Sequence, residues 1–152
     1  MAISTREARA EILEELGAAI ERIALASACL GEAYEHLSVM AADRMEGELY
    51  RPVQRAYGRG QRTYSQFAER SGFEPRTFEL PAAGRGSQGV KAFVERAVVA
   101  AAEADRGIAE IQDSSIALES GDAELRKGLT ETREALAPLA GASREFLRTL
   151  GR

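Results

Sequence analysis

Five arginines carry the most suggestive spacing in this sequence: Arg44, Arg51, Arg55, Arg59 and Arg62. At ~100° per helical residue they fall in a sector ~80° wide, opposite the apolar positions Met45, Leu49 and Phe67. The stripe would run ~27 Å along a helix at 1.5 Å per residue. Guanidinium forks bind phosphates and carboxylates in a bidentate way that a lysine ammonium does not match. The stripe therefore suits a nucleic-acid backbone or an acidic partner, or it is a solvated face paired with Glu48, Glu69 and acids on neighbouring helices. Tyr50, Tyr57 and Tyr64, seven residues apart, flank the apolar face.

Other chemistry is poorly supplied. The single histidine, His36, has Glu32 and Glu35 nearby, which misses the Glu-x-x-His spacing of carboxylate-bridged iron bundles. Haem and zinc ligation need more His or Cys than the one of each present. Ser114 and Ser115 have Asp113 beside them but no base. The run GRGSQG at 84–89 precedes a helix start, where an anion can bind; such runs more often serve as helix leaders. No catalytic residue, metal ligand, cofactor or small-molecule substrate is expected, and the reading is of a non-enzyme.

A second interaction candidate is Ile23, Leu25, Ala28, Cys29 and Leu30. Leu25, Ala28 and Cys29 lie off the heptad seam, so the helix is apolar nearly all round for two turns and wants cover on more than one side. The bundle itself or a partner subunit could give it, which makes this segment the candidate oligomer interface. The lone cysteine reads as a small buried hydrophobe.

The elements that position these residues are helices. Leu13, Leu16, Ile20, Ile23, Ser27, Leu30, Tyr34 and Leu37 alternate three and four apart, a heptad seam with Ser4 or Thr5 as N-cap. The phase slips around 38–42, and a second stretch carries Met45, Leu49, Val53, Ala56, Tyr57, Tyr64 and Phe67, with Pro52 predicted to kink or break it. Residues 72–87 read as a central loop punctuated by Pro75, Pro81 and glycines. Its Phe73, Phe78 and Leu80 are expected to fold back over the open end of the bundle. The heptad then resumes with Val90, Val94, Ala97, Ala101, Ala104, Ile108, Ile111 and Leu118, and continues in phase with Leu125, Leu129, Leu136, Leu139, Phe146 and Leu150.

The 152 residues make one all-α domain, large enough to bury its own core. Turns near Ser38 and at Ser120-Gly121-Asp122 predict an antiparallel up-down-up-down four-helix bundle, both turns at the same end. The alternative is a long two-helix antiparallel coiled-coil hairpin that dimerises, since the phase survives Gly121. The longest apolar run, Ile23 to Leu30, is far short of the ~20 residues that cross a bilayer. No signal-peptide pattern opens the chain, so a cytoplasmic address is expected. Of the 20 basic residues only Lys91 and Lys127 are lysine, and asparagine is absent, a bias suggesting a GC-rich bacterial genome. The net charge of −4 argues against whole-surface nucleic-acid binding but not against a local basic patch. The leading expectation is a non-catalytic scaffold or adaptor acting through helix-helix contacts and self-associating. Its alternatives are a nucleic-acid-binding subunit using the arginine stripe and, more weakly, a lipid- or granule-surface coat.

Overall fold

The computed structural model describes residues 4–85 and 89–150, and every regular element among them is helical. The α-helices are α1 (Thr5–Glu35), α2 (Val39–Met45), α3 (Arg51–Arg70), α4 (Gly89–Asp113), α5 (Ser115–Ser120), α6 (Ala123–Leu136) and α7 (Leu139–Leu150), with a π-helical turn, Glu46–Tyr50, joining α2 to α3. No helix among the described residues is long and apolar enough to cross a membrane.

Local chemistry sets most boundaries. The Ser4 hydroxyl accepts from the Glu7 N–H at 3.1 Å and starts α1. Ser38 caps α2 through the Ala41 N–H, and Asp122 caps α6 through the Leu125 N–H at 2.8 Å. Each side-chain oxygen satisfies a donor that the first turn would otherwise leave unpaired. Both expected breaks, at Ser38 and Gly121-Asp122, are present, so neither half of the chain is one long helix. Gly72, at φ 76°, ends α3: its N–H bonds to Glu69 O and that of Phe73 to Ala68 O, the paired closure that a left-handed residue allows. Two further breaks were not expected. Ser114 caps α5 through Ala117, and Ala137-Pro138 separates α6 from α7. The restart at Ser114 turns Ala117 inward and leaves Leu118, an expected seam residue, 65% exposed.

Pro52 acts through the π-turn. It has no N–H to donate four residues back, and the Arg51 N–H reaches Glu46 O, five residues back. One extra residue in a turn rotates everything before it by about 100° relative to a continuous α-helix.

Contacts along the rods fix their directions. Just past the end of α1 the His36 ring stacks with that of Phe93 on α4, Arg22 of α1 pairs with Glu103 of α4, and Arg9 Nε donates to Ser120 O on α5. The numbers run oppositely, so these rods are antiparallel. Likewise α3 meets α6 at Arg59–Glu131 and Arg70–Asp122, and α1 meets α3 at Ile20/Gly60 and Gly31/Tyr50. With α1 up, α3 and α4 both run down and α6–α7 runs up. The order is not the expected strict alternation, and the breaks at Ser38 and Gly121 lie at opposite ends of the molecule rather than the same end.

The cause is the segment between α3 and α4, which must climb the whole length. Arg6 covers Phe73 at the lower end, and Ala83 sits beside Cys29 far up α1. From Arg6 to Cys29 is ~35 Å of helix, and the ten steps from Phe73 to Ala83 reach ~33–36 Å only when nearly fully extended. Pro75 and Pro81 favour that extension, because each drives the residue before it out of the helical region. Phe73 is thus half-buried at the lower end, Phe78 is half-buried along the side of the bundle against Tyr64 rather than capping an end, and Leu80 is exposed.

The core is aliphatic and alanine-rich. Ile12, Leu16, Ile20, Ile23 and Leu30 of α1 are fully buried with Met45, Leu49, Val53, Phe67, Phe93, Ile108, Ile111 and Phe146.

Candidate functional site

The arginine stripe is divided by its neighbours. Arg51, Arg55 and Arg62 are exposed, and no ion pair engages them among the described residues. Arg59 is mostly covered: its Nε donates to Glu131 Oε2 at 2.5 Å and its Nη1 to Thr63 Oγ1 at 3.1 Å, tying α3 to α6. Arg44 turns onto α7, donating to Thr149 Oγ1 and lying 5.5 Å from the Phe146 ring centroid. The π-turn accounts for this. Its extra residue rotates Arg44 out of the line of the other four and toward α7.

Cations from other helices join the stripe around two carboxylates. Arg59, Arg62 and Lys127 all hold the Glu131 carboxyl below its usual range, with the Arg59 hydrogen bond the largest cause. Arg148, through its hydrogen bond, and Arg44 do the same for Glu145. Lys127 and Arg148 belong to other helices and could not be assigned to this face from spacing along one helix. Glu48 and Glu69, expected partners, make no ion pair among the described residues.

Ile23, Cys29 and Leu30 are fully buried within the single chain, and Leu25 and Ala28 are half-buried. Cover on the third side of α1 comes from the extended segment 73–85. Leu25 lines a hollow of about 680 Å³ with Arg76, Phe78 and Pro81, and the Cys29 thiol lies 4.0 Å from Ala83 O. Burial pushes that thiol's pKa up, with Arg96 opposing.

Spacing did not reveal the seam between α4 and α6–α7. A groove of about 460 Å³ opens there, lined by Val98, Ala102, Leu136, Ala137, Leu139 and Ala140 among others. Val99, 57% exposed, lies on another face of α4, with Ala92, Glu95 and Arg96. Toward one end Arg133 bridges Asp105 at 2.8 Å and Gln112 Oε1 at 2.8 Å. The signal in the sequence is the run Val98-Val99-Ala100-Ala101-Ala102, which is apolar beyond what one helix seam needs.

His36 is exposed and bonded to Glu32 at 3.2 Å. Among the described residues no three His, Cys, Asp or Glu side chains gather as a metal site would require. Of the GRGSQG run, residues 86–88 lie outside the described residues; Gly84 and Gly89 have positive φ.

No family model, no curated protein and no solved structure matches this chain.

Proposed function

We propose that the chain is a non-catalytic helical adaptor, a four-helix bundle with one long crossover that acts through surface contacts and self-associates. The observation that carries this reading is the groove between α4 and α6–α7. It is mainly apolar, and the described residues leave it uncovered while the crossover closes the equivalent side of α1. Because Ile23, Cys29 and Leu30 are inside the fold, association of the folded chain passes through α4 and α7 rather than through the 23–30 segment. A bacterial cytoplasmic setting suits the arginine-rich, asparagine-free composition and single cysteine.

Sedimentation across a wide concentration range tests the reading, with Ala102→Arg and Ala140→Arg as disruptors. A salt-resistant oligomer that both variants dissociate supports it. A monomer at every concentration, with no protein recovered in a high-salt pull-down from the native cell, refutes it.

A second reading rests on the three free arginines. Arg51, Arg55 and Arg62, with Lys127 near Arg62 by Glu131, offer three to four phosphate contacts, and nucleic-acid binding through them would lose affinity with a log-log salt slope of about −3. The triple variant Arg51→Ala, Arg55→Ala, Arg62→Ala should abolish binding of a labelled duplex while leaving the oligomer intact. Binding unchanged by the triple variant, or none at low salt, excludes this use of the ridge.

A further inference from the structure

The crossover is fastened differently from everything else in the molecule. Among the described residues no backbone-backbone hydrogen bond involves residues 74–85; the last one upstream is Phe73 N–H to Ala68 O. Most side chains in the segment are exposed, and only Phe73, Phe78 and Ala83 are half-buried. Its fastenings are few: Arg6 over Phe73 at 4.3 Å, Arg76 over Phe78 at 4.4 Å, Phe78 edge-on to Tyr64 at 5.3 Å, the exposed Arg76–Glu21 pair, and Arg96 donating to Ala83 O. Near its ends Gly72 (φ 76°) and Gly84 (φ 109°) occupy the left-handed region that favours glycine. The helices beneath keep their own hydrogen bonds and their core contacts with one another whether or not the segment is in place. Segments with few buried apolar contacts and no ladder of hydrogen bonds open at the low end of a protein's range of local stabilities.

We infer that residues 72–85 form a displaceable strap, opening about Gly72 and Gly84 while the helices stay packed, and that opening uncovers Leu25 and Cys29 on α1. Closed, the strap roofs the hollow over Ala18, Glu21, Arg22 and Leu25 and covers Cys29, which is 0% exposed. The strap is thus the gate to the one stretch of α1 that is apolar nearly all round. This inference is independent of which surface the adaptor uses.

Cys29 is the only cysteine and reports the opening directly. The experiment is the rate of alkylation of Cys29 by a maleimide, followed by intact mass across urea concentrations below the unfolding transition. Opening of the strap alone predicts labelling that is nearly insensitive to urea there, because little surface is exposed. Phe78→Ala should then speed labelling about tenfold through loss of a fastening worth one decade in the opening equilibrium, with the helical circular dichroism unchanged. A second variant, Ala83→Cys, keeps the test independent of Phe78. On oxidation the introduced thiol should form a disulfide with Cys29 without loss of helix, and reduction should restore labelling. Labelling that follows urea with the full slope of global unfolding, in both the parent and Phe78→Ala, would overturn the inference.

Discussion

Two seams of this molecule are built from small residues, and only one of them closes. Between α3 and α6, glycine faces a branched side chain: a Cβ on Gly128 would lie 2.6 Å from Thr63 Cγ2 and 2.9 Å from Thr63 Cβ, and one on Gly60 would lie 3.7 Å from Thr132. A hole opposite a knob lets two backbones approach and interdigitate, and the Arg59–Glu131 and Arg70–Asp122 bridges fasten its flanks. Between α4 and α6–α7, alanine sits near alanine. Ala101 and Ala102 share the groove wall with Ala137 and Ala140, and the buried Leu136 and Leu139 line it too. Small residues on both sides, with bulky ones holding the helices apart, leave a trench. Small residues therefore close a seam only when the facing residue is large enough to fill what they leave.

The largest effect is expected at Gly128. Alanine in a helix interior is intrinsically better than glycine by ~1 kcal/mol, so an open site would gain. At the closed seam the Thr63 side chain cannot withdraw, since its hydroxyl donates to Arg59 O at 2.8 Å and the residue is β-branched. Gly128→Ala is expected to destabilise by about 1–3 kcal/mol in urea denaturation, with Thr63→Ala in the same chain recovering much of the loss.

Next in size is the lower end of that seam. Asp122 both caps α6 and accepts two hydrogen bonds from Arg70, at 2.8 and 2.9 Å. Asp122→Ala should cost about 1–2 kcal/mol at neutral pH, most of it the lost cap because the ion pair is partly exposed. The Arg70 hydrogen bond, and after it the Leu125 N–H, hold the Asp122 carboxyl below its ordinary range. Stability from a depressed acid is present above the unfolded value of ~3.9 and lost as pH falls through the folded one. The gap between the parent and Asp122→Ala in thermal unfolding should therefore narrow at the acid end.

Gly58 is the control for Gly128. It lies in α3 with nothing within 4 Å of an added Cβ, so Gly58→Ala should stabilise by about 0.5–1 kcal/mol. Equal effects at Gly58 and Gly128 would show that the close approach at Thr63 does not govern the seam.

The smallest effect lies between α1 and α4. Burial, then the neighbouring carboxylates of Glu11, Glu110 and Glu14, raise the Glu15 carboxyl. A raised acid contributes stability only below its unfolded value, and that contribution disappears as pH rises through the folded one. Glu15→Gln should accordingly melt slightly above the parent at pH 7, and the difference should vanish below pH ~4. A difference that persists in acid would assign the gain to something other than charge.

Much of the fold was legible because it rests on near-neighbour chemistry. Heptad spacing marked the buried stripes of α1, α3, α4, α6 and α7. Ser4 (or Thr5) and Asp122 announced caps, and a turn was legible near Ser38, where the Ser38 side chain caps α2; each bonds a donor only three residues away. Leu118 escaped because Ser114, flanked by apolar residues of the right period, caps a new helix instead of continuing the old one. The arginine face was legible as a row along one helix and illegible as a surface. Whether an arginine stays free depends on Glu131 and Thr149, which are 72 and 105 residues distant.

By itself, then, the sequence determined that the chain is helical, where its main helices begin and break, and which side of each turns inward. Those properties follow from hydrogen bonds and periodicities within a few residues. Tertiary structure alone decided the order of the rods, the course of the crossover and the cover over Cys29. A heptad stripe specifies that a helix must be buried but is indifferent to which antiparallel neighbour buries it. That choice fell to contacts between distant residues: Thr63 into the space at Gly128, Arg70 onto Asp122, and an extended segment just long enough to span α1.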